Sequence, residues 1–348
     1  MSRNRLAIVS SILFVVLALL IVLIPVPYVT WRPGSTLDVL GKAESAPVIK
    51  VDGIPTYPTS GSLLMTTVSS SRADASVGLP EALYAFLDPS SYVLPRANVY
   101  PAGQSNEQIR EEAVAQMTDS RQDAAVAALR AAGITVTEIP QVVSVVLSGP
   151  ANGRLEPGDL IESVDTIEGL SPAEIVESVQ NRGIGDPVVF RVIRDGQPIT
   201  VTVVTGADNS NKPSVGVGIK TGYTYSPKLT YQVDSSVVGP SAGLVFALAI
   251  YEKITAATLV DDHIVAATGT IEANGQVHGV GGLRQKIKGA ENAGADTFLL
   301  PAENCGDVMD LETDLRLVPV ESLNEAIASL QLLQQPDGGE VASCERAN

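Results

Sequence analysis

The chain has 348 residues, enough for roughly two folded domains of about 100–200 residues each. Aromatics contribute 4% of residues against 45% hydrophobic, so Ala, Val, Leu and Ile must fill any core, which suits mixed α/β packing. The net charge of −16 argues against a sequence-independent nucleic-acid surface, which needs clustered Lys and Arg; an acidic surface reads more simply as a solubility feature.

Leu6 to Val26 is 21 residues without a charge. As a helix it would measure about 31 Å against a hydrocarbon core of about 30 Å. Residues 1–5 carry Arg3 and Arg5, which places them in the cytoplasm, 6–26 across the cell membrane as a single pass, and the rest outside. Tyr28 and Trp31 then fall where an interfacial aromatic belt would stand. The alternative is a cleaved signal peptide, although the apolar run exceeds the usual span of about 7–15 residues and no A-x-A site follows in IPVPYVTW. Cys305 and Cys344 could pair in such an oxidising space.

After the breakers Pro55, Pro58 and Gly61, the Thr- and Val-rich stretch to Ser70 predicts a strand. Ser105 with Gln108 is a capping-box signature, and the Ala-, Glu- and Gln-rich stretch 107–132 suits one or two helices. Short β-rich runs then alternate with turns from Val142 to Thr205. They include a helix-like SPAEIVESVQNRG and a hairpin about Asp195-Gly196. Gly149-Pro150-Ala151 followed by Leu155-Glu156-Pro157-Gly158-Asp159-Leu160-Ile161 resembles a PDZ domain of the bacterial protease type, assigned to 125–206. The resemblance implies capture of an extended peptide beside a sheet edge; the alternative is a mere spacer.

A third region, 213–335, shows strands at Ser214–Ile219, Ile264–Gly269, Thr297–Leu300 and Arg316–Val320, with helices between. Ser322 and Glu325 cap the last helix, and 336–348 reads as a polar tail.

Within this region Val238-Gly239-Pro240-Ser241-Ala242-Gly243 opens an apolar helical run, with Pro240 suited to its first turn. Ser241 at a helix N-terminus would meet free N–H groups and the positive end of the macrodipole, which stabilise a developing oxyanion. Gly239, Ala242 and Gly243 leave room for a substrate backbone. The motif alone is also an ordinary helix start. Downstream, Leu283, Lys286, Ile287 and Ala290 form one apolar stripe, while Arg284, Gln285 and Lys288 point elsewhere. A lysine facing inward should lose basicity, so that its neutral amine could take a proton from a serine; otherwise it snorkels, its head in water.

Together these elements resemble the proteolytic domain of Lon proteases, in which a GPSAG serine precedes a lysine in a GGL-x-x-K helix. Ala267-Thr268-Gly269-Thr270-Ile271, Asn274-Gly275-Gln276-Val277 and Leu300-Pro301-Ala302-Glu303-Asn304 match further segments of that family, and 61–70 resembles its early strand. The resemblance implies an α/β (α+β) Lon-type proteolytic domain split into 34–120 and 213–335, with the β-rich PDZ-like domain inserted and one N-terminal transmembrane helix. It makes Ser241 the nucleophile, Lys286 general base and acid, and Thr268 a hydroxyl that orients the lysine. Gly239, Pro240, Ala242 and Gly243 support the serine. Val238 and Thr270 stand where the family carries acids.

The chain contains no G-x-x-x-x-G-K-[ST] loop, so the expectation is an ATP-independent serine endopeptidase without cofactor or metal, acting on extended or unfolded protein substrates. Neither nucleic acid nor ATP is an expected partner. By the same resemblance, a homo-oligomer is a possible state. His263 and His278 lack a metal-ligand or triad pattern and read as structural or exposed. The rival reading is a non-catalytic, membrane-anchored PDZ scaffold.

Overall fold

The structure, a computed structural model, describes residues 3–43, 45–72, 77–100, 103–335 and 340–344. The expected polar tail, 336–348, therefore lies mostly outside the described residues. The chain divides into two compact units, one made of Met1–Gly133 with Pro227–Asn348, the other of Ile134–Ser226. In chain order, the first unit opens with α1 (Arg3–Leu23), β1 (Tyr28–Asp38), β2 (Ser62–Ser70), α2 (Leu79–Leu87), β3 (Tyr92–Pro95) and α3 (Asn106–Ala131). The second unit contains β4 (Thr137–Val145), β5 (Leu160–Val164), α4 (Pro172–Gln180), β6 (Pro187–Arg194), β7 (Gln197–Val204) and β8 (Val217–Thr224). The first resumes with α5 (Gly243–Ile254), β9 (Ile264–Ala267), α6 (Leu283–Asn292), β10 (Thr297–Pro301), β11 (Arg316–Val320) and α7 (Leu323–Leu333).

Helix α1 is 21 residues long, and its side chains from Asn4 to Val22 are wholly exposed. An apolar helix of this length whose side chains stay exposed is compatible with a membrane anchor or a signal sequence.

In the first unit, β11, β10, β9, β2, β1 and β3 form one sheet in that order. β2, β9, β10 and β11 run parallel, and β1 is antiparallel to both β2 and β3. The parallel strands read as nearly continuous apolar runs because both faces are covered: TFLLP in β10 is buried at every position. Helix α5 is almost wholly buried, consistent with its uninterrupted GLVFALAI sequence. Helix α3 carries both halves of its capping box: Gln108 N donates to Ser105 Oγ at 3.2 Å, and Ser105 N to Gln108 Oε1 at 2.8 Å. One helix, rather than two, spans this stretch.

The second unit is built on the sheet order β7-β6-β5-β4-β8. Phe190, Val192, Leu155, Ile161 and Ile175 form its core. Asp195 and Gly196 close the β6–β7 hairpin with φ of 51° and 77°, the pairing that a two-residue turn matching strand twist requires. Ser171 and Glu174 cap α4 reciprocally. The strand expected at Ser214–Ile219 in the third region instead runs over Val217–Thr224 and pairs antiparallel with β4, from Val217↔Val145 to Thr224↔Thr137. The inserted unit thus ends at Ser226. It begins at Ile134, because α3 continues to Ala131 within the first unit.

Candidate active site

The chain enters the Ser241 segment through Gly239, whose φ of +95° is a conformation that side chains with a Cβ resist. Two contacts from α3 hold this turn: Gly239 N donates to the Ala113 carbonyl at 3.0 Å, and Ser120 Oγ to the Pro240 carbonyl at 2.8 Å. Gly243 N then donates to Pro240 O at 3.2 Å, so a turn precedes the helix, and α5 begins at Gly243 with Ala242 as its N-cap. Contrary to the expectation from sequence, Pro240 is therefore not in the first helical turn, and Ser241 stands two residues upstream of the helix. A Cβ on Gly243 would come within 2.7 Å of Ile271 Cγ2 and 3.0 Å of Ser120 Oγ, so that position admits no larger side chain. Among the described residues, neither the N–H of Ser241 nor that of Ala242 has a hydrogen-bond partner.

Lys286 lies on α6, 3% exposed, in one buried stripe with Leu283, Ile287 and Ala290. Its Nζ donates to Thr268 Oγ1 at 2.8 Å, and that hydroxyl donates onward to the Ser241 carbonyl at 3.1 Å. The Ser241 carbonyl also accepts from Gly269 N at 3.0 Å. Thr268, itself buried, thus bridges the lysine and the serine backbone. Burial lowers the Lys286 pKa from 10.5 to about 7, since the ammonium is deprived of water and no carboxylate pairs with it among the described residues.

Ser241 and Lys286 line one cleft of about 980 Å³, with Trp31, Thr66 to Ser70, Met117, Val238, Thr270 and Gly279 to Gly281. β9 pairs β2 only as far as Met65, so the β2 edge from Thr66 to Ser70 faces the cleft rather than another strand. Trp31, expected in an interfacial belt, lies on β1 with its ring edge 3.3 Å from where a Cβ on Gly281 would stand. It serves the cleft instead. The Leu300–Asn304 motif acquires a physical role here. Asn304 accepts from Val280 N at 2.8 Å and donates to Val280 O at 3.1 Å, and Glu303 accepts from Gly279 N at 2.7 Å, fixing the loop that launches α6.

Of the residues expected to point away from this stripe, Arg284 bonds the Asp307 carbonyl and Asp310, and Lys288 pairs with Glu291 at 2.9 Å. Gln285, by contrast, is 0% exposed, and its amide has no partner among the described residues. The i, i+3, i+4 stripe omitted it because α6 is covered on a wider arc, lying against both β1 and β2. His278 bonds Glu303 and Glu272, which raises its pKa, with the Glu303 bond the larger cause; His263 bonds Asp296. Neither histidine lines the cleft. Sequence reasoning missed the part played by Ser120, and no periodicity marks it, because its partner is 120 positions away.

Cys305 and Cys344 form a disulfide, with 5.2 Å between their Cα atoms, and Cys344 packs beside Leu300, Val308 and Leu315.

Residues 234–333 match the model of the Lon protease (S16) C-terminal proteolytic domain, and 115–205 that of the PDZ domain. The chain is 35% identical over 103 residues to Lon protease 1 of Myxococcus xanthus, covering 28% of this chain and 12% of that protein. It is 34% identical over 111 residues to the Lon protease of Escherichia coli strain K12, covering 31% of this chain and 14% of that one. The chain thus spans less than a quarter of the length of the curated relatives it matches. Among solved structures, the PDZ domain of an SdrC-like protein from Listeria innocua is 26% identical, with a TM-score of 0.23, covering 23% of this chain and 92% of that domain. The chain therefore combines the C-terminal proteolytic domain of Lon proteases with a PDZ domain, behind one apolar N-terminal helix.

Proposed function

We propose that the chain is a membrane-anchored serine endopeptidase that cleaves extracytoplasmic protein segments without ATP, using Ser241 as nucleophile and Lys286 as general base. The observation that carries the proposal is the buried lysine. With its pKa near 7, it holds a neutral amine at physiological pH, and Thr268 ties it to the serine in a single cleft.

In this mechanism Ser241 Oγ attacks the scissile carbonyl carbon as its proton passes to the Lys286 amine. The N–H groups of Ser241 and Ala242 offer donors to the oxyanion. The resulting ammonium returns a proton to the leaving amine, and an acyl-enzyme remains. Lys286 then takes a proton from water as the water oxygen attacks the ester carbon, and the ammonium returns that proton to Ser241 Oγ as the C–Oγ bond breaks, which releases the carboxylic acid product and restores the neutral amine. The open β2 edge at Thr66 to Ser70 supports an extended substrate that adds as a strand. In the second unit, edge strand β8 beside α4 supports recruitment of a second extended segment in the same manner. Arg3 and Arg5, which precede the uncharged run Leu6 to Val26, support the outward placement of both units.

The test is a serine-reactive probe on the intact chain. Labelling that disappears in Ser241→Ala supports the peptidase, and no labelling of the folded chain would favour a scaffold whose proteolytic domain is silent.

A further inference from the structure

Helix α2 has the reverse of the polarity that a surface helix shows. Its inward face is Ala82 and Ala85, both buried. Its outward face carries Leu79, Leu83 and Leu87 at i, i+4 and i+8, with Tyr84 and Phe86 beside them, all exposed. Phe86 and Leu87 are 75% and 70% exposed. The five phenylalanines of the chain sharpen the contrast: Phe190, Phe246 and Phe298 are fully buried, Phe14 lies in α1, and Phe86 alone stands in the open outside α1.

The position of the helix says what covers it. Pro25 and Val26, which follow α1 after Ile24, pair antiparallel with Gly78 and Val77, and Leu79 N donates to the Ile24 carbonyl at 3.3 Å. α2 therefore starts at the exit of the apolar span. Nine helical residues extend about 14 Å, so no part of α2 lies farther than that from the exit. The helix has one charge, Glu81, placed toward the protein side and paired with Arg32 at 3.5 Å. Asp88 stops the helix by accepting hydrogen bonds from Ser90 and Ser91, which turns the chain back into β3 and the sheet.

We propose that α2 is a membrane-contact helix, lying in the interface plane with Leu83, Tyr84, Phe86 and Leu87 in the headgroup–acyl boundary of the bilayer that α1 spans. This rests on the reading of α1 as a retained anchor. Short amphipathic helices sink about 5–10 Å into that boundary, and a tyrosine hydroxyl is at home at headgroup level. The tether supplies what a helix of this length lacks for membrane affinity of its own, because the bilayer is already at its side. Two attachments, span and surface helix, would hold the first unit at a fixed tilt against the membrane, which a single flexible tether cannot do.

The test places an environment-sensitive fluorophore on a single introduced thiol, Leu83→Cys, Phe86→Cys or, as control, Asp262→Cys, in the full chain reconstituted into vesicles of equal parts phosphatidylcholine and phosphatidylglycerol. All three side chains are exposed, so none of the changes disturbs the core. Nitroxide-bearing acyl chains should quench roughly half or more of the emission at positions 83 and 86, and less than about a tenth at 262. Emission at 83 and 86 that iodide quenches and lipid nitroxide does not would overturn the proposal. Shielding from both quenchers would overturn it as well, in favour of a protein partner such as a second copy. Alkaline extraction of the unlabelled full chain separates the two readings: release from the vesicles overturns the anchor and this proposal together, whereas retention with unquenched labels overturns this proposal alone.

Discussion

The pH dependence of acylation gives the sharpest test of the Lys286 assignment. With a pKa of about 7, the amine is neutral in about a tenth of molecules at pH 6, about half at pH 7 and about nine-tenths at pH 8. The sign follows from the cause: burial penalises the ammonium, so the base form accumulates as pH rises through the depressed pKa. The single-turnover rate of Ser241 acylation by a neutral serine-reactive probe should therefore rise about tenfold from pH 6 to pH 8 and then level off. A solvated lysine near its ordinary pKa would instead give about a hundredfold rise over the same interval, with no plateau below pH 9. Lys286→Arg should remove the rate along with the profile, because a guanidinium stays charged and cannot accept the serine proton. A rate still climbing tenfold per unit above pH 8, or a Lys286→Arg variant near the wild-type rate, would refute the reasoning.

Three further outcomes are expected. Thr268→Val removes the one acceptor that Lys286 Nζ has among the described residues and should lower the acylation rate about 10–100-fold, the value of a hydrogen bond to a charged group, while Thr268→Ser retains most of it; equal loss in both would show that the hydroxyl is not the relevant group. Ser120→Ala leaves the Pro240 carbonyl without its 2.8 Å donor and should destabilise the first unit by about 1–3 kcal/mol, read as a lowered urea midpoint with slower acylation; an unchanged midpoint would count against the clamp. Cys344→Ser opens a disulfide that closes a separation of 39 residues, worth about 4 kcal/mol in chain-entropy terms, and should lower the Tm to that of reduced wild type; a Tm equal to oxidised wild type would refute it.

Much of the local structure was legible in the sequence, since its causes lie within a few residues. The Ser105–Gln108 and Ser171–Glu174 boxes, the Asp195-Gly196 turn and the apolar runs that became β2, β10 and β11 are each decided by neighbours one to four positions apart. The inward stripe of Lys286 with Leu283, Ile287 and Ala290 was equally readable from helical spacing. Helix α2 could have been found from Pro80, a favoured residue in a first helical turn, but its leucines suggest burial where the fold leaves them exposed.

What only the tertiary structure decided are the meetings of distant residues, which no local periodicity encodes. Ser120 reaches Pro240 across 120 positions, and Trp31 lies against the Gly281 loop instead of serving an aromatic belt. Val217–Thr224 joins β4 rather than the parallel sheet, because a strand's partner is chosen by register and available edges, and its own composition suits either. The basicity of Lys286 belongs to the same class. Spacing turns the side chain inward, but the depth of burial, which brings the amine to about 7, follows from how α6 packs on β1 and β2.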